Sequence, residues 1–295
     1  MRYVLKPAPL RAHGLRAEEL EAAIVLVGCG GTGGFLAESV CRLLLGRRAA
    51  VFLVDPDRVE SVNVSRQAFE LADVGRFKAE VLAERLVRRF GMEVGYSVLP
   101  YDARVHDAAF ARSTRLALVV GAVDNAPARR AIAATLVRHS GYTAAGDRAS
   151  PILWLDAGNG RHSGQVLLGN ALRPEQLKQV FDPDAGLCHA LPAPSLQRPD
   201  LLTAPPEPTR DLPLDCARAV SEGEQSRTIN QVMAALVATY LDRLLDGTCS
   251  WMATYVDLTD GVLRCMPAEP RSVATSVGLR PQQLVMRTQQ MRAAS

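Results

Sequence analysis

Ile24-Val25-Leu26-Val27 is an unbroken apolar run that stops at Gly28, the pattern of a strand buried on both faces. Over residues 35–45 the period changes. Phe35, Leu36, Val40, Leu43 and Leu44 recur at helical spacing. A second apolar run, 50–54, ends in Asp55. Strand, helix and strand in so short a space read as one βαβ unit. The alternation continues. Residues 78–90 predict a helix with Val81, Leu82, Leu86 and Val87 on one side, and 94–99 and 116–120 predict strands. Residues 127–139 predict a helix that opens on Pro127, a tolerated first position. Residues 152–156 and 165–168 add further strands. The expected fold is α/β: a Rossmann-like, doubly wound, mostly parallel sheet with helices on both faces.

The pattern breaks over 182–213, which hold 8 of the 18 prolines. Proline suits neither a helix interior nor a central strand, so 182–215 is expected to be a Pro-rich crossover excursion. Helical spacing returns over 226–245, where Ile229, Met233, Leu236, Val237, Tyr240 and Leu244 form a stripe. Residues 251–258 and 262–266 read as a hairpin about Asp260-Gly261. This C-terminal helix and hairpin, 226–281, adds an antiparallel extension to the sheet. From about residue 282 the chain turns polar and is expected to fray.

Composition narrows the function classes. The 295 residues are 48% hydrophobic and 22% charged, which is ordinary for a globular chain with a core. A net charge of +3 offers no electrostatic argument for a nucleic-acid or membrane partner. No apolar run approaches the ~18–20 residues of a membrane span. The first 23 residues lack the apolar centre of a signal peptide, so a cytoplasmic location is expected. The six cysteines include no Cys-x-x-Cys pair, which favours free thiols and no zinc site of that kind.

Gly28-Cys29-Gly30-Gly31-Thr32-Gly33-Gly34 contains the Gly-x-Gly-x-x-Gly spacing between a predicted strand and a predicted helix. Glycine lets backbone N–H groups approach phosphate, and the helix start adds unpaired N–H groups and a positive dipole end. Asp55 ends the next strand, as a ribose-binding carboxylate would. This much fits any mononucleotide or dinucleotide, an NAD(P)-linked oxidoreductase included. The residues that follow discriminate. Asn63, Arg66 and Lys78 have no evident use on a nicotinamide, whereas a triphosphate uses a guanidinium fork and a mobile ammonium. Asp124 and Asn125 follow the fourth strand, where sheet-edge ligands bind. Asp124 is suited to Mg²⁺, which takes one or two carboxylates plus phosphate oxygens. As an alternative, Asp124 caps the next helix.

The glycine loop, Asp55-x-Asp57, Asn63-x-x-Arg66-Gln67, Lys78 and Asp124-Asn125 together resemble the ThiF/MoeB family of ubiquitin-activating-enzyme-like adenylating proteins. The likeness is clearest over the first 170 residues. Trp154-Leu155-Asp156-x-Gly158-Asn159, Gly164-Gln165, Cys216, Gln225-Ser226 and Ile229-Asn230 resemble a narrower branch, the ThiF-like proteins of bacterial PRTRC gene systems. The resemblance implies a single adenylation domain over 1–295 with a nucleotide-binding core at 20–170. It implies that Gly28, Gly30, Gly31 and Gly33 wrap the phosphates of ATP, that Asp55 binds ribose, and that Asn63, Arg66 and Lys78 contact phosphate. Asp57 and Gln67 join that binding set. Asp124 would position Mg²⁺ and, with Arg66 and Lys78, support catalysis. The implied reaction adenylates a carboxylate, as on a small ubiquitin-like or sulfur-carrier-like protein, and releases pyrophosphate. Family members often pass the acyl group to a cysteine. Cys216 is the best-sited thiol here, just past the excursion, with a small buried residue as its alternative. A homodimer is also implied, although none of Arg2, Arg11 and Arg16 clearly matches the trans arginine of family dimers. A non-catalytic nucleotide-binding scaffold is the remaining alternative.

Overall fold

The computed structural model describes residues 2–11, 19–140, 148–203 and 228–286. Eight strands form one sheet in the order β11-β10-β7-β6-β5-β2-β3-β4. They are β2 (Leu20–Val27), β3 (Ala49–Val54), β4 (Val94–Ser97), β5 (Thr114–Gly121), β6 (Ile152–Asn159), β7 (Ser163–Gly169), β10 (Trp251–Asp257) and β11 (Val262–Pro267). The run from β6 to β4 is parallel. β7, β10 and β11 continue it antiparallel. The sheet is thus the mostly parallel, Rossmann-like one expected, with the antiparallel extension at its C-terminal end.

The continuous apolar runs are buried on both faces because both faces are covered. Ala22, Ile24 and Leu26 of β2 join one core with Leu36, Val40 and Leu44 of α1 (Gly31–Leu44) and Val81, Leu82 and Leu86 of α2 (Lys78–Phe90). Ala23, Val25 and Val27 join the other with Val105 of α3 (Ala103–Ala109) and Ile132 and Leu136 of α4 (Ala126–His139). The helix Ile229–Leu245 packs on the α1 side. Its Met233 sits so close to Gly164 that an added Cβ there would lie 2.5 Å from the sulfur. Its Tyr240 hydroxyl lies 2.8 Å from Thr254 Oγ1 on β10.

Three differences from the sequence reading have local causes. Helix α1 begins at Gly31 rather than at residue 35. Glycine is a poor helix former, but its missing Cβ lets this first turn lie against the preceding strand end. Helix α3 carries no long apolar stripe; the Asp102 carboxylate starts it by accepting from Arg104 N and Val105 N at 2.9 and 3.0 Å. The described part of the Pro-rich segment, to Thr203, carries short elements rather than an irregular loop. β9 (Leu187–Cys188) pairs in parallel with β1 (Val4–Leu5) and antiparallel with β8 (Phe181–Asp182). Pro194 opens a short helix, α5 (Pro194–Gln197), as its fixed φ allows. Residues 204–227 lie outside the described residues.

Gly33 tests how tightly the loop is built. A Cβ there would fall 1.8 Å from the Gly28 carbonyl oxygen, so Gly33→Ala is expected to cost about 1–3 kcal/mol or more through backbone overlap. Gly160→Ala, whose Cβ would meet only Ser163 Oγ at 3.8 Å, is the matched control and should unfold in urea near the wild-type midpoint.

Candidate nucleotide site

Strands β2, β3 and β5 end at the same level, with Val27 paired to Val54 and to Gly121. The sheet order reverses between β2 and β5, which makes this a topological switch point, where ligands bind in open α/β sheets. A cavity of about 500 Å³ opens there. It is lined by Gly28, Gly30, Gly31, Asp55, Asp57, Asn63, Arg66, Gln67, Lys78 and Asp124. Residues far apart in the chain and named from sequence therefore share one cavity.

Gly33 does not line it and serves the packing of the turn instead. Cys216 lies outside the described residues.

The glycine loop is shaped for an anion. Gly30 is the N-cap of α1, with no side chain capping the first turn and no acidic residue in it. The N–H groups of that turn are thus not satisfied by a cap side chain. Gly28 has φ of +94°, and a Cβ on it would sit 2.5 Å from the Ala122 carbonyl oxygen. Asp55 anchors the loop: its carboxylate accepts from Cys29 N at 2.6 Å and from Asp57 N at 2.8 Å. Burial raises the Asp55 carboxyl above its ordinary value, while those N–H groups and Lys78 pull it back. Gln67 Oε1 is shielded from solvent and has no hydrogen-bond partner among the described residues. An unsatisfied buried acceptor on a cavity wall is what a donor-bearing ligand would complete.

The cations are mounted on different elements. Lys78 opens α2 and is only 8% exposed. Its ammonium lies 3.1 Å from Asp57 Oδ2, so Asp57 holds the lysine against the wall. Arg66 follows the short helix Ser61–Asn63. There the Asn63 carboxamide oxygen accepts from Glu60 N at 2.9 Å. Asp124 is exposed to the cavity. The capping alternative falls to its neighbour: Asn125 accepts from Ala128 N at 2.9 Å and donates to Asp124 Oδ1 at 3.1 Å. Among the described residues no three His, Cys, Asp or Glu groups form a metal cage. A lone carboxylate fits Mg²⁺ that takes its other ligands from phosphate and water.

Sequence reasoning missed three clusters on or behind this wall. Arg129 and Asp156 form a buried ion pair, Nε to Oδ2 at 3.0 Å. Burial pushes the Asp156 carboxyl up to about 6 even though Arg129 pulls it down. Thr32 Oγ1 lies 3.3 Å from the carboxamide oxygens of both Asn159 and Asn230, and Asn159 Nδ2 donates to Asn230 Oδ1 at 3.3 Å. Asn159, Asp156 and Asn230 belong to stretches that carried the branch resemblance, the one signal that could have found them. Tyr101 OH lies 2.5 Å from His106 Nδ1. His106 stacks on His139 at 4.1 Å, and His139 Nε2 lies 2.9 Å from Asp107 Oδ1.

A model of the ThiF family matches residues 14–264. The tRNA threonylcarbamoyladenosine dehydratase of Escherichia coli (strain K12) is 35% identical over 127 residues, 42% of this chain and 46% of that protein. The NEDD8-activating enzyme E1 catalytic subunit of Arabidopsis thaliana is 35% identical over 85 residues, 28% of this chain and 17% of that protein. The matched stretches thus span less than half the length of these curated relatives. Among solved structures, E. coli MccB with MccA-N7isoASN aligns with a TM-score of 0.55 at 17% identity, over 84% of this chain and 65% of that one. With ATP the same protein aligns at 0.50 and 16%, over 84% and 64%. That likeness is one of fold. No helix among the described residues is long and apolar enough to cross a membrane.

His106 gives the site's surroundings a pH signature. Burial, reinforced by His139, lowers it to about 4, whereas an unfolded histidine titrates near 6.5. The native state therefore excludes a proton that the unfolded chain accepts. The stability this contributes is complete above pH ~6.5 and is lost as pH falls towards about 4. The gap in urea-unfolding free energy between wild type and His106→Gln should narrow by about 2–3 kcal/mol from pH 7.5 to pH 4. Asp156 shifts stability in the opposite direction over part of that range, but it is present in both proteins and cancels in the difference.

Proposed function

This chain belongs to the ThiF family, and on that premise we propose that it uses ATP with Mg²⁺ to adenylate a carboxylate. The acyl substrate we favour is the C-terminus of a small ubiquitin-like or sulfur-carrier-like protein. The observation that carries this reading is the meeting of Arg66, Lys78 and Asp124 with the glycine loop on one cavity. The names of the relatives support the substrate class: one acts in NEDD8 activation, and another was solved with MccA-N7isoASN.

The reaction joins a carboxylate oxygen to the α-phosphorus of ATP. The bond from that phosphorus to the bridging oxygen breaks, and pyrophosphate leaves with the electron pair. No covalent enzyme intermediate is needed for this step, so the protein's task is alignment and charge compensation. The uncapped N–H groups at Gly30 and Gly31 receive phosphate oxygens. Asp55, held by two backbone donors, faces the ribose. Arg66 and Lys78 offset charge that grows on the departing phosphates. Asp57 keeps the Lys78 ammonium from swinging out to solvent. Gln67 supplies the acceptor that awaits a ligand donor. Asp124 would hold Mg²⁺, which contributes further charge neutralisation at the phosphates. The same set favours a triphosphate over a nicotinamide, since two cations with a carboxylate suited to a metal have no counterpart in hydride transfer.

ATP–pyrophosphate exchange in the presence of candidate small proteins is the direct test, because a scaffold that only binds gives none. Asp124→Ala should abolish exchange in a protein that still unfolds cooperatively at the wild-type urea concentration. Arg66→Ala and Lys78→Ala should each lower the rate on the order of 10²-fold. In calorimetry ATP with Mg²⁺ should bind and NAD should not. Tight NAD binding with normal exchange in Asp124→Ala would remove the reading.

A further inference from the structure

Asp124 stands on the turn after β5, where Ala122 N donates to the Val27 carbonyl at 2.8 Å and Asn125 Nδ2 donates to the Asp124 carboxylate at 3.1 Å. Ala122 and Val123 follow the end of the sheet strand at Gly121, and Asn125 is the N-cap of helix α4. From inside the helix, Arg129 crosses to this turn. Arg129 donates from Nη2 to the Val123 carbonyl at 2.6 Å, directly before Asp124. From Nε the same guanidinium donates to both oxygens of Asp156, at 3.0 and 3.3 Å. Asp156 is fully buried on the central strand β6, and Arg129 is only 6% exposed. The turn, the helix and the sheet are thereby joined through one planar group.

The surroundings are cut to admit this pair. A Cβ on Gly121 would lie 2.8 Å from Asp156 Oδ1, and one on Gly158 would lie 3.0 Å from Arg129 Nη2. Stability does not explain such an arrangement. Taking both charges out of water offsets most of their attraction, and apolar residues of similar volume are often as stable or more so. What apolar residues cannot supply is a directed donor to the Val123 carbonyl. Lysine cannot supply both contacts, because only the guanidinium fork reaches two acceptors in fixed directions.

We propose that Arg129, braced by Asp156, is a positioning residue that sets the place of Asp124 in the cavity and so the affinity of the site for its divalent cation. This rests on the adenylating reading of the cavity. It concerns a residue that touches the backbone before the metal-holding carboxylate rather than the metal itself. Such supporting contacts are typically worth 10–100-fold in metal affinity or activity.

The test uses Mn²⁺ as a spectroscopic probe. Free Mn²⁺ is measured by electron paramagnetic resonance with the full-length protein and a non-hydrolysable ATP analogue, and exchange is followed against Mg²⁺ concentration. The double variant Arg129→Met/Asp156→Leu should keep wild-type thermal stability and metal-free ATP affinity. Its Mn²⁺ affinity should fall about 10-fold, with a matching rise in the Mg²⁺ needed for half-maximal exchange. Arg129→Lys preserves the charge beside Asp156 but not the fork, and the same shift is expected if the double variant folds poorly. Asp156→Asn keeps an acceptor for Nε and should lose less Mn²⁺ affinity than either Arg129 variant, as a role in positioning rather than in charge requires. Wild-type Mn²⁺ affinity in both Arg129 variants would overturn the proposal. So would a loss of metal-free ATP affinity equal to the loss of metal affinity, since that marks collapse of the cavity. If Asp124→Ala leaves Mn²⁺ affinity unchanged, the metal reading fails and takes the proposal with it. If Asp124→Ala weakens Mn²⁺ and the Arg129 variants do not, the proposal alone fails.

Discussion

The parallel register of β2 with β3 on one side and β5 on the other is the constraint from which the site follows. Because Val27, Val54 and Gly121 are paired residues, the chain leaves all three strands at one height. Gly28, Asp55 and the Ala122–Val123–Asp124 turn are thereby brought within reach of one another, and contacts such as Asp55 with Cys29 N and Arg129 with the Val123 carbonyl then fix them. The pairing is enforced by burial. Each strand alternates between two covered faces, and a slip of one residue would exchange every side chain between the two cores. The same constraint explains why loops carry the cavity residues while the strands beneath them are almost wholly apolar.

Polar groups placed at this junction are costly, and the structure shows how the cost is contained. Asp55 is buried, yet two backbone N–H groups accompany it. Lys78 is buried at the start of a helix, where a positive charge meets the unfavourable end of the dipole, and Asp57 lies against it. Thr32, Asn159 and Asn230 satisfy one another where α1, β6 and the helix Ile229–Leu245 come together. These arrangements raise no argument for stability. They keep directional donors and acceptors in fixed places beside the loop, which is what a reaction driven by alignment and charge compensation requires.

The antiparallel end of the sheet adds a different kind of support. β7, β10 and β11 extend the surface beyond the nucleotide core, and the helix Ile229–Leu245 fastens the extension back onto α1. Gly164 and Met233 fit together there as closely as Gly28 and Ala122 do at the loop. Asn230, on the first turn of that helix, reaches the glycine loop so nearly that a Cβ on Gly31 would overlap its carboxamide. The start of that helix therefore borders the cavity.

Local pattern was enough to read the alternating strands and helices, the glycine loop and the antiparallel tail, because each is written in residues close together in the chain. It was also enough to single out Asp55, Lys78 and Asp124, which follow a strand end or open a helix, whereas Arg66 and the roles of the set rested on the family resemblance as well. It could not tell which glycines face a ligand and which serve packing: Gly30 and Gly33 look alike until Gly33 is seen against the Gly28 carbonyl. Nor could it find Arg129 with Asp156, 27 residues apart, or Thr32 with Asn230, 198 residues apart. Periodicity records which face of an element is buried, and it carries no information about which buried polar group meets which. Those meetings are set by the order of the strands and the crossing of the helices, which exist only once the chain has folded.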